Sequence, residues 1–252
     1  MIAVHGAEKR YGSTLVVDGV SLEIPRGGLT SIIGPNGAGK STLLSMISRL
    51  MPLDAGTVTV DGLDVQKTAG VQLARKLSIL RQDNSLTMRL TVRELVTLGR
   101  FPHSQGRPGP EDLQKVEEAL EFLDLQPLSH RYLDQLSGGQ RQRAFVAMVL
   151  CQDTEYVLLD EPLNNLDMRH AVEMMKMLRR ITTERGKTLV VVLHDINFAS
   201  VYSDHIVAMK EGRLHTQGPP SQLMSSEVLQ SIYDFPIPVH SSNGHQIANF
   251  YF

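Results

Sequence analysis

The stretch Gly34-Pro35-Asn36-Gly37-Ala38-Gly39-Lys40-Ser41-Thr42 constrains this chain more than any other. It stands between a short apolar run, Leu29–Ile33, and a helical pattern expected from about Lys40 to Leu50. An apolar run bounded by glycines reads as a buried strand. Strand, glycine-rich loop and helix in that order make a phosphate-binding loop, and Gly34, Gly39, Lys40 and Ser41 have its spacing. Glycines let the backbone wrap so closely that its N–H groups point at phosphate oxygens. The helix N-terminus adds its positive dipole end. Lys40 is expected to bring a full charge to the β- and γ-phosphates of a nucleotide, and the Ser41 hydroxyl to ligate Mg²⁺. The flanking strand and helix argue against a glycine-rich turn that binds nothing.

Further short strands are expected around the loop: a valine-rich Leu15–Ile24, then Thr57–Val60 and Leu77–Leu80. From about residue 85 to 154 the character turns helical. Leu113, Val116, Leu120 and Leu123 recur at helical spacing, and Thr91 with Glu94 forms a capping-box pattern. Strand-like runs resume at Tyr156–Leu159 and Thr188–Leu193, with an amphipathic helix from about Arg169 to Arg185 between them. Met174, Met175 and Met177 on that helix read as packing residues. The expected fold is α/β, a nucleotide-type domain with a helical insertion. The core is placed at 1–84 and 155–235 and the insertion at 85–154. Residues 236–252 form a separate tail, in which Asn243-Gly244 is a hairpin turn signal.

Two further motifs carry chemistry. In Leu136-Ser137-Gly138-Gly139-Gln140, a serine and two glycines open a helix, a second place where backbone N–H groups can meet an anion. Tyr156–Leu159 runs into Asp160 and Glu161, an apolar strand ending in two carboxylates. One can hold the Mg²⁺ shell while its neighbour orients or deprotonates an attacking water. His194 follows the other late strand, and Gln82 closes Leu77–Leu80 in the same way. Ligands of open α/β sheets bind at that carboxyl edge.

In this order, the P-loop, Gln82, Leu136–Gln140, Asp160-Glu161, Asn165-Leu166-Asp167 and His194 resemble the ABC ATPase family over about residues 1–235. The resemblance implies a RecA-like P-loop NTPase core with an N-terminal antiparallel β part and an inserted all-helical subdomain. It also implies that two subunits pair head to tail, each ATP lying between one P-loop and the partner's Ser137–Gln140. It implies Glu161 as catalytic base, Asp160 as Mg²⁺-shell ligand, and Gln82 as a sensor between Mg²⁺ and a membrane permease. His194 would contact the γ-phosphate and Asp167 would lie across the dimer seam. Tyr11, in Lys9-Arg10-Tyr11-Gly12, matches the adenine-stacking aromatic. Leu163-Asn164-Asn165 departs from the serine–alanine type commoner in the family, so seam contacts there are expected to differ.

Three stretches, Thr91–His103, Gln140–Met148 and His194–Ser200, resemble the ATPases of iron–siderophore, haem and vitamin B12 importers, most closely the ferric-siderophore type. The implied setting is a homodimer on the cytoplasmic face of the inner membrane. There it would work with integral-membrane permease subunits and, indirectly, a substrate-binding protein. Arg89, Arg93 and Arg100 are candidates for the permease-facing groove, or for a solvated charged face. A haem or vitamin B12 importer ATPase and a soluble ABC ATPase of repair or translation remain the alternatives. The chain has neither the long heptad insertions of the repair type nor the second P-loop of the translation type.

Composition fits this reading. The chain of 252 residues carries 25 basic and 27 acidic side chains, without the basic excess that nucleic acid usually asks for. Apolar runs such as Leu189–Leu193 fall far short of the roughly 20 residues that span a bilayer. The opening Ile2-Ala3-Val4-His5 soon meets Glu8, so no signal-peptide pattern is expected there. The single cysteine, Cys151, lies in an apolar helical pattern and is expected to be a small core residue in a reducing compartment.

Overall fold

The structure, a computed structural model, describes residues 1–84 and 88–250. The start of the expected insertion at residue 85 and the last two residues of the expected tail lie outside the described residues. The chain divides into two compact units, residues 1–68 with 178–252, and residues 69–177.

The first unit opens with β1 (Ile2–Tyr11) and β2 (Thr14–Ile24), paired antiparallel from Ile2↔Ile24 to Tyr11↔Thr14. Strand β3 (Leu29–Ile33) is buried along its whole length and leads into the glycine loop and helix α1 (Lys40–Ile47). That helix stops short of the expected Leu50. Ser48 is its C-cap and Arg49 turns left-handed at φ 59°. The N–H of Met51 then reaches back to the Ser45 carbonyl, satisfying the last turn. Strands β4 (Ala55–Val60) and β5 (Leu63–Asp64) complete an antiparallel sheet in the order β2-β1-β4-β5.

The second unit holds α2 (Gly70–Ala74), β6 (Leu77–Leu80), α3 (Val92–Leu98), α4 (Phe101–Ser104), α5 (Pro110–Phe122), α6 (Gly138–Cys151) and β7 (Tyr156–Asp160). Strands β6 and β7 pair in parallel, Leu77↔Tyr156 to Leu80↔Leu159. Thr91 caps α3: its hydroxyl accepts from the Glu94 N–H while the Glu94 carboxylate accepts from the Thr91 N–H. Val116 and Leu120 bury the inner face of α5, and Leu123 just past it is also buried. Leu113, in the first turn, stays exposed. Cys151 ends α6 with its thiol buried among the core residues and pushed up to about 12 by that burial, which suits a packing residue.

Helix α7 (Met168–Arg185) buries Met174, Met175 and Met177. Beyond it lie β8 (Thr188–Val192), α8 (Ile196–Tyr202), β9 (His205–Lys210), β10 (Arg213–Gly218), α9 (Pro220–Leu223) and α10 (Ser226–Tyr233), all in the first unit. Strands β8 and β9 flank β3 in parallel and β10 pairs antiparallel with β9, giving the order β10-β9-β3-β8. Parallel strands covered on both faces read as unbroken apolar runs, as Leu189–Val192 does. The tail pairs β11 (Val239–Ser242) with β12 (His245–Ala248) around Asn243 and Gly244, both left-handed at φ 50° and 80°. The side-chain amide of Asn197 ties α8 to Ala248 through two hydrogen bonds. Among the described residues no helix is long and apolar enough to cross a membrane.

Candidate nucleotide-binding and hydrolysis residues

In the first unit the glycine loop is shaped by lack of room. Gly34 sits at φ 141°, and a Cβ there would lie 2.0 Å from the Met209 carbonyl oxygen on β9. Gly39 sits at φ 89°, and a Cβ would lie 2.6 Å from the Val16 carbonyl oxygen on β2. Both need glycine for conformation and space. At Gly37, φ 79°, an added Cβ would meet nothing within 4 Å, so glycine is needed there for conformation alone. Pro35, Asn36 and Ala38 complete the turn, whose Ala38 N–H reaches the Pro35 carbonyl at 3.2 Å. Lys40 opens α1 and is only 5% exposed. Its Nζ donates to the carbonyls of Gly34 and Pro35, each at 2.9 Å. A buried ammonium has to be satisfied in this way, and the loop itself does it. Ser41 and Thr42 follow in the first turn of the same helix.

Tyr11 ends β1 and is half exposed, its hydroxyl 3.1 Å from the Met51 sulfur. An aromatic face left open at a strand end is suited to stacking. Asp54 anchors the same end of the strand, accepting from Lys9 Nζ at 2.8 Å and the Arg10 N–H at 2.7 Å. His194 is exposed just beyond β8, and Asp195 caps α8 by accepting from the N–H groups of Asn197 and Phe198.

In the second unit Asp160 is the last residue of β7 and only 8% exposed. Glu161 leaves the strand at φ 49°, a left-handed conformation that is strained for a residue with a Cβ. The two carboxylates therefore leave the strand end from different backbone conformations. Glu161 Oε2 accepts from Gln82 Nε2 and from Asn164 Nδ2, each at 2.8 Å. Sequence reasoning placed Gln82 near the site but gave Asn164 no role beyond a departure at the seam. The available signal was its amide, a donor close after an acidic strand end.

The start of α6 is a capping box. Ser137 Oγ accepts from the Gln140 N–H, and Gln140 Oε1 accepts from the Ser137 N–H. Two of the N–H groups expected to meet an anion are thus committed within the helix start. Gly138 and Gly139 form its first turn. Gly139 lies so close to His170 that a Cβ would meet its ring at 2.7 Å. His170 Nδ1 pairs with Asp167 Oδ1 at 2.8 Å, and the His170 N–H donates to the same oxygen. These bonds from His170 hold the Asp167 carboxyl below its ordinary range. A cleft of about 350 Å³ in this unit is lined by Gln82, Asn84, Gly138, Arg141, Asn164 and Asn165.

The three candidate groove arginines are not alike. Arg100 is 4% exposed, paired with Asp112 at 2.9 Å and bound to the Cys151 carbonyl at 3.0 Å. It is a structural strut, neither groove lining nor solvated face, because a buried guanidinium must have its donors matched. Arg93 pairs with Glu117, and Arg89 pairs with Asp134 while lying 4.1 Å over the Tyr132 ring.

The family model described as "ABC transporter" matches residues 17–164. The chain is 51% identical over 251 residues to the petrobactin import ATP-binding protein YclP of Bacillus subtilis (strain 168), covering 100% of both chains. It is 42% identical over 225 residues to the ferric enterobactin transport ATP-binding protein FepC of Escherichia coli (strain K12), covering 88% of this chain and 83% of that one. Among solved structures it is similar to the ATP-binding cassette MJ0796, determined as a dimer in a post-hydrolysis state with ADP and Pi. The TM-score is 0.76 at 30% identity, over 87% of this chain and 99% of that one. By its family model and by relatives matched along its whole length, this chain belongs to the ABC transporter family, as one of its ATP-binding, ATP-hydrolysing proteins.

Proposed function

We propose that this chain powers the import of a ferric siderophore, as a homodimer on the cytoplasmic face of the inner membrane. It works there with a separate permease and, indirectly, a substrate-binding protein. The cargo reading is supported by the full-length similarity to a petrobactin import protein. The mechanism is carried by one observation, the carboxylate of Glu161 gripped by two amides beside the buried Asp160.

Roles follow from chemistry. Lys40 exchanges the Gly34 and Pro35 carbonyls for β- and γ-phosphate oxygens, and the loop N–H groups cradle the phosphates. Tyr11 stacks on adenine. The Ser41 hydroxyl, the Gln82 amide oxygen and the Asp160 carboxylate are hard oxygen donors, a set that suits Mg²⁺. When bound, Mg²⁺ neutralises phosphate charge. Glu161 accepts the proton of the attacking water, and His194 steadies the γ-phosphate. Ser137, Gly138, Gly139 and Gln140 complete the site of the partner subunit, with Asp167 at the seam. Phosphoryl transfer depends mostly on positioning and charge stabilisation, which a set of fixed groups of this kind supplies.

Two experiments test the proposal. Lys40→Ala and Ser137→Arg should each impair hydrolysis as pure homodimers. Mixing them should restore activity, because a mixed dimer gathers both lesions in one site. No recovery in mixed dimers of verified composition would sink the shared-site reading. For the cargo, deletion of the gene should abolish cellular uptake of radiolabelled ferric petrobactin and leave haem and vitamin B12 uptake intact. Unchanged iron uptake would reject the siderophore assignment.

A further inference from the structure

We propose that Asn164 is a positioning residue for the hydrolytic base: together with Gln82 it clamps the Glu161 carboxylate. The inference rests on the reading of Glu161 as the base. Residues Glu161-Pro162-Leu163-Asn164 form a turn closed by the Asn164 N–H donating to the Glu161 carbonyl at 3.2 Å. Pro162 fits the second position of such a turn because its ring presets φ. The turn carries the Asn164 side chain back over the residue that opens it, where Nδ2 donates to Glu161 Oε2 at 2.8 Å. A carboxylate is acceptor-only, so the nitrogen end of the amide has to face it. Gln82 Nε2 reaches the same oxygen, also at 2.8 Å, from the loop after β6.

Two donors from separate loops hold one oxygen of the carboxylate in place. A group standing on a left-handed backbone at φ 49° benefits from such a hold, since strained conformations persist only where the surroundings over-determine them.

The test uses the full-length purified protein with MgATP. Asn164→Ala should lower kcat about 3–30-fold, with KM and the MgATP dissociation constant within about twofold of wild type. Asn164→Asp, which swaps the donor for a second carboxylate, should lower kcat further. In a Glu161→Gln background, where the carboxylate is already gone, Asn164→Ala should cause no further loss in single-turnover rate. A wild-type kcat in Asn164→Ala, with Glu161→Gln strongly slowed, would overturn the clamp and leave the base standing. So would an equal loss in both backgrounds, or a loss confined to nucleotide affinity. Near-normal hydrolysis by Glu161→Gln would remove the base assignment itself, and the clamp with it.

Discussion

The glycine loop and the acidic turn are both candidate parts of one hydrolytic machine, but they are held by different means. The loop is a backbone object. Gly34 and Gly39 are pressed against the carbonyls of Met209 and Val16, and Lys40 is satisfied by the carbonyls of its own loop. The acidic turn is a side-chain object, with Glu161 held by two amides and Asp167 by an imidazole. Backbone cradles fit any phosphate and tolerate little substitution. Side-chain clamps depend on single polar atoms and can be altered one residue at a time.

The largest effect sharpens this contrast. Glu161→Gln keeps shape and hydrogen-bonding capacity but cannot accept a proton, so single-turnover hydrolysis should fall roughly 10²–10⁴-fold. MgATP binding should persist and a nucleotide-closed dimer should accumulate on size-exclusion chromatography. Hydrolysis within a few-fold of wild type would mean that another group positions the water. Next is Gly34→Ala, which meets both strain and the Met209 carbonyl and should cost roughly 2–5 kcal/mol in denaturant unfolding. Gly37→Ala, strained but unobstructed, should cost only about 1–2 kcal/mol. Equal costs would break the claim that close backbone packing shapes the loop.

Tyr11→Ala should raise the ATP dissociation constant about 5–150-fold, by analogy with base stacking worth about 1–3 kcal/mol, while Tyr11→Phe should change it little. Identical affinities by titration calorimetry would remove Tyr11 from the site. The smallest effect concerns pH. The Asp167 carboxyl is held below its ordinary range, so its contribution is present above about pH 4 and is lost as pH falls through the depressed value. Asp167→Asn should flatten that acid limb of the stability profile. An unchanged limb would assign it to other carboxylates.

The α/β class was legible because its signals are local. Leu29–Ile33, the glycines and the pattern of α1 sit in one continuous stretch, and Thr91 with Glu94 writes its own helix start. The same local grammar was present in Ser137 and Gln140, where a serine followed by glutamine at capping-box spacing marks N–H groups already partnered. Arg100 misled for the opposite reason. Charged side chains are mostly exposed, and nothing near Arg100 in sequence announces that Asp112 and the Cys151 carbonyl will close over it. The end of α1 was placed too far along because Arg49 turns left-handed, a rare choice for a residue with a side chain.

By itself, then, the sequence determined which residues carry charge, hydroxyl and glycine, and in what order along strands and helices, since periodicity and turn chemistry act over a few residues. Only the tertiary structure decided that Gln82 and Asn164 meet on one oxygen of Glu161 and that Gly34 faces the carbonyl of Met209. Gln82 meets Glu161, and Gly34 meets Met209, across long stretches of chain whose meeting is set by how strands pair, while Asn164 reaches Glu161 within one short turn whose closure its amide alone does not announce.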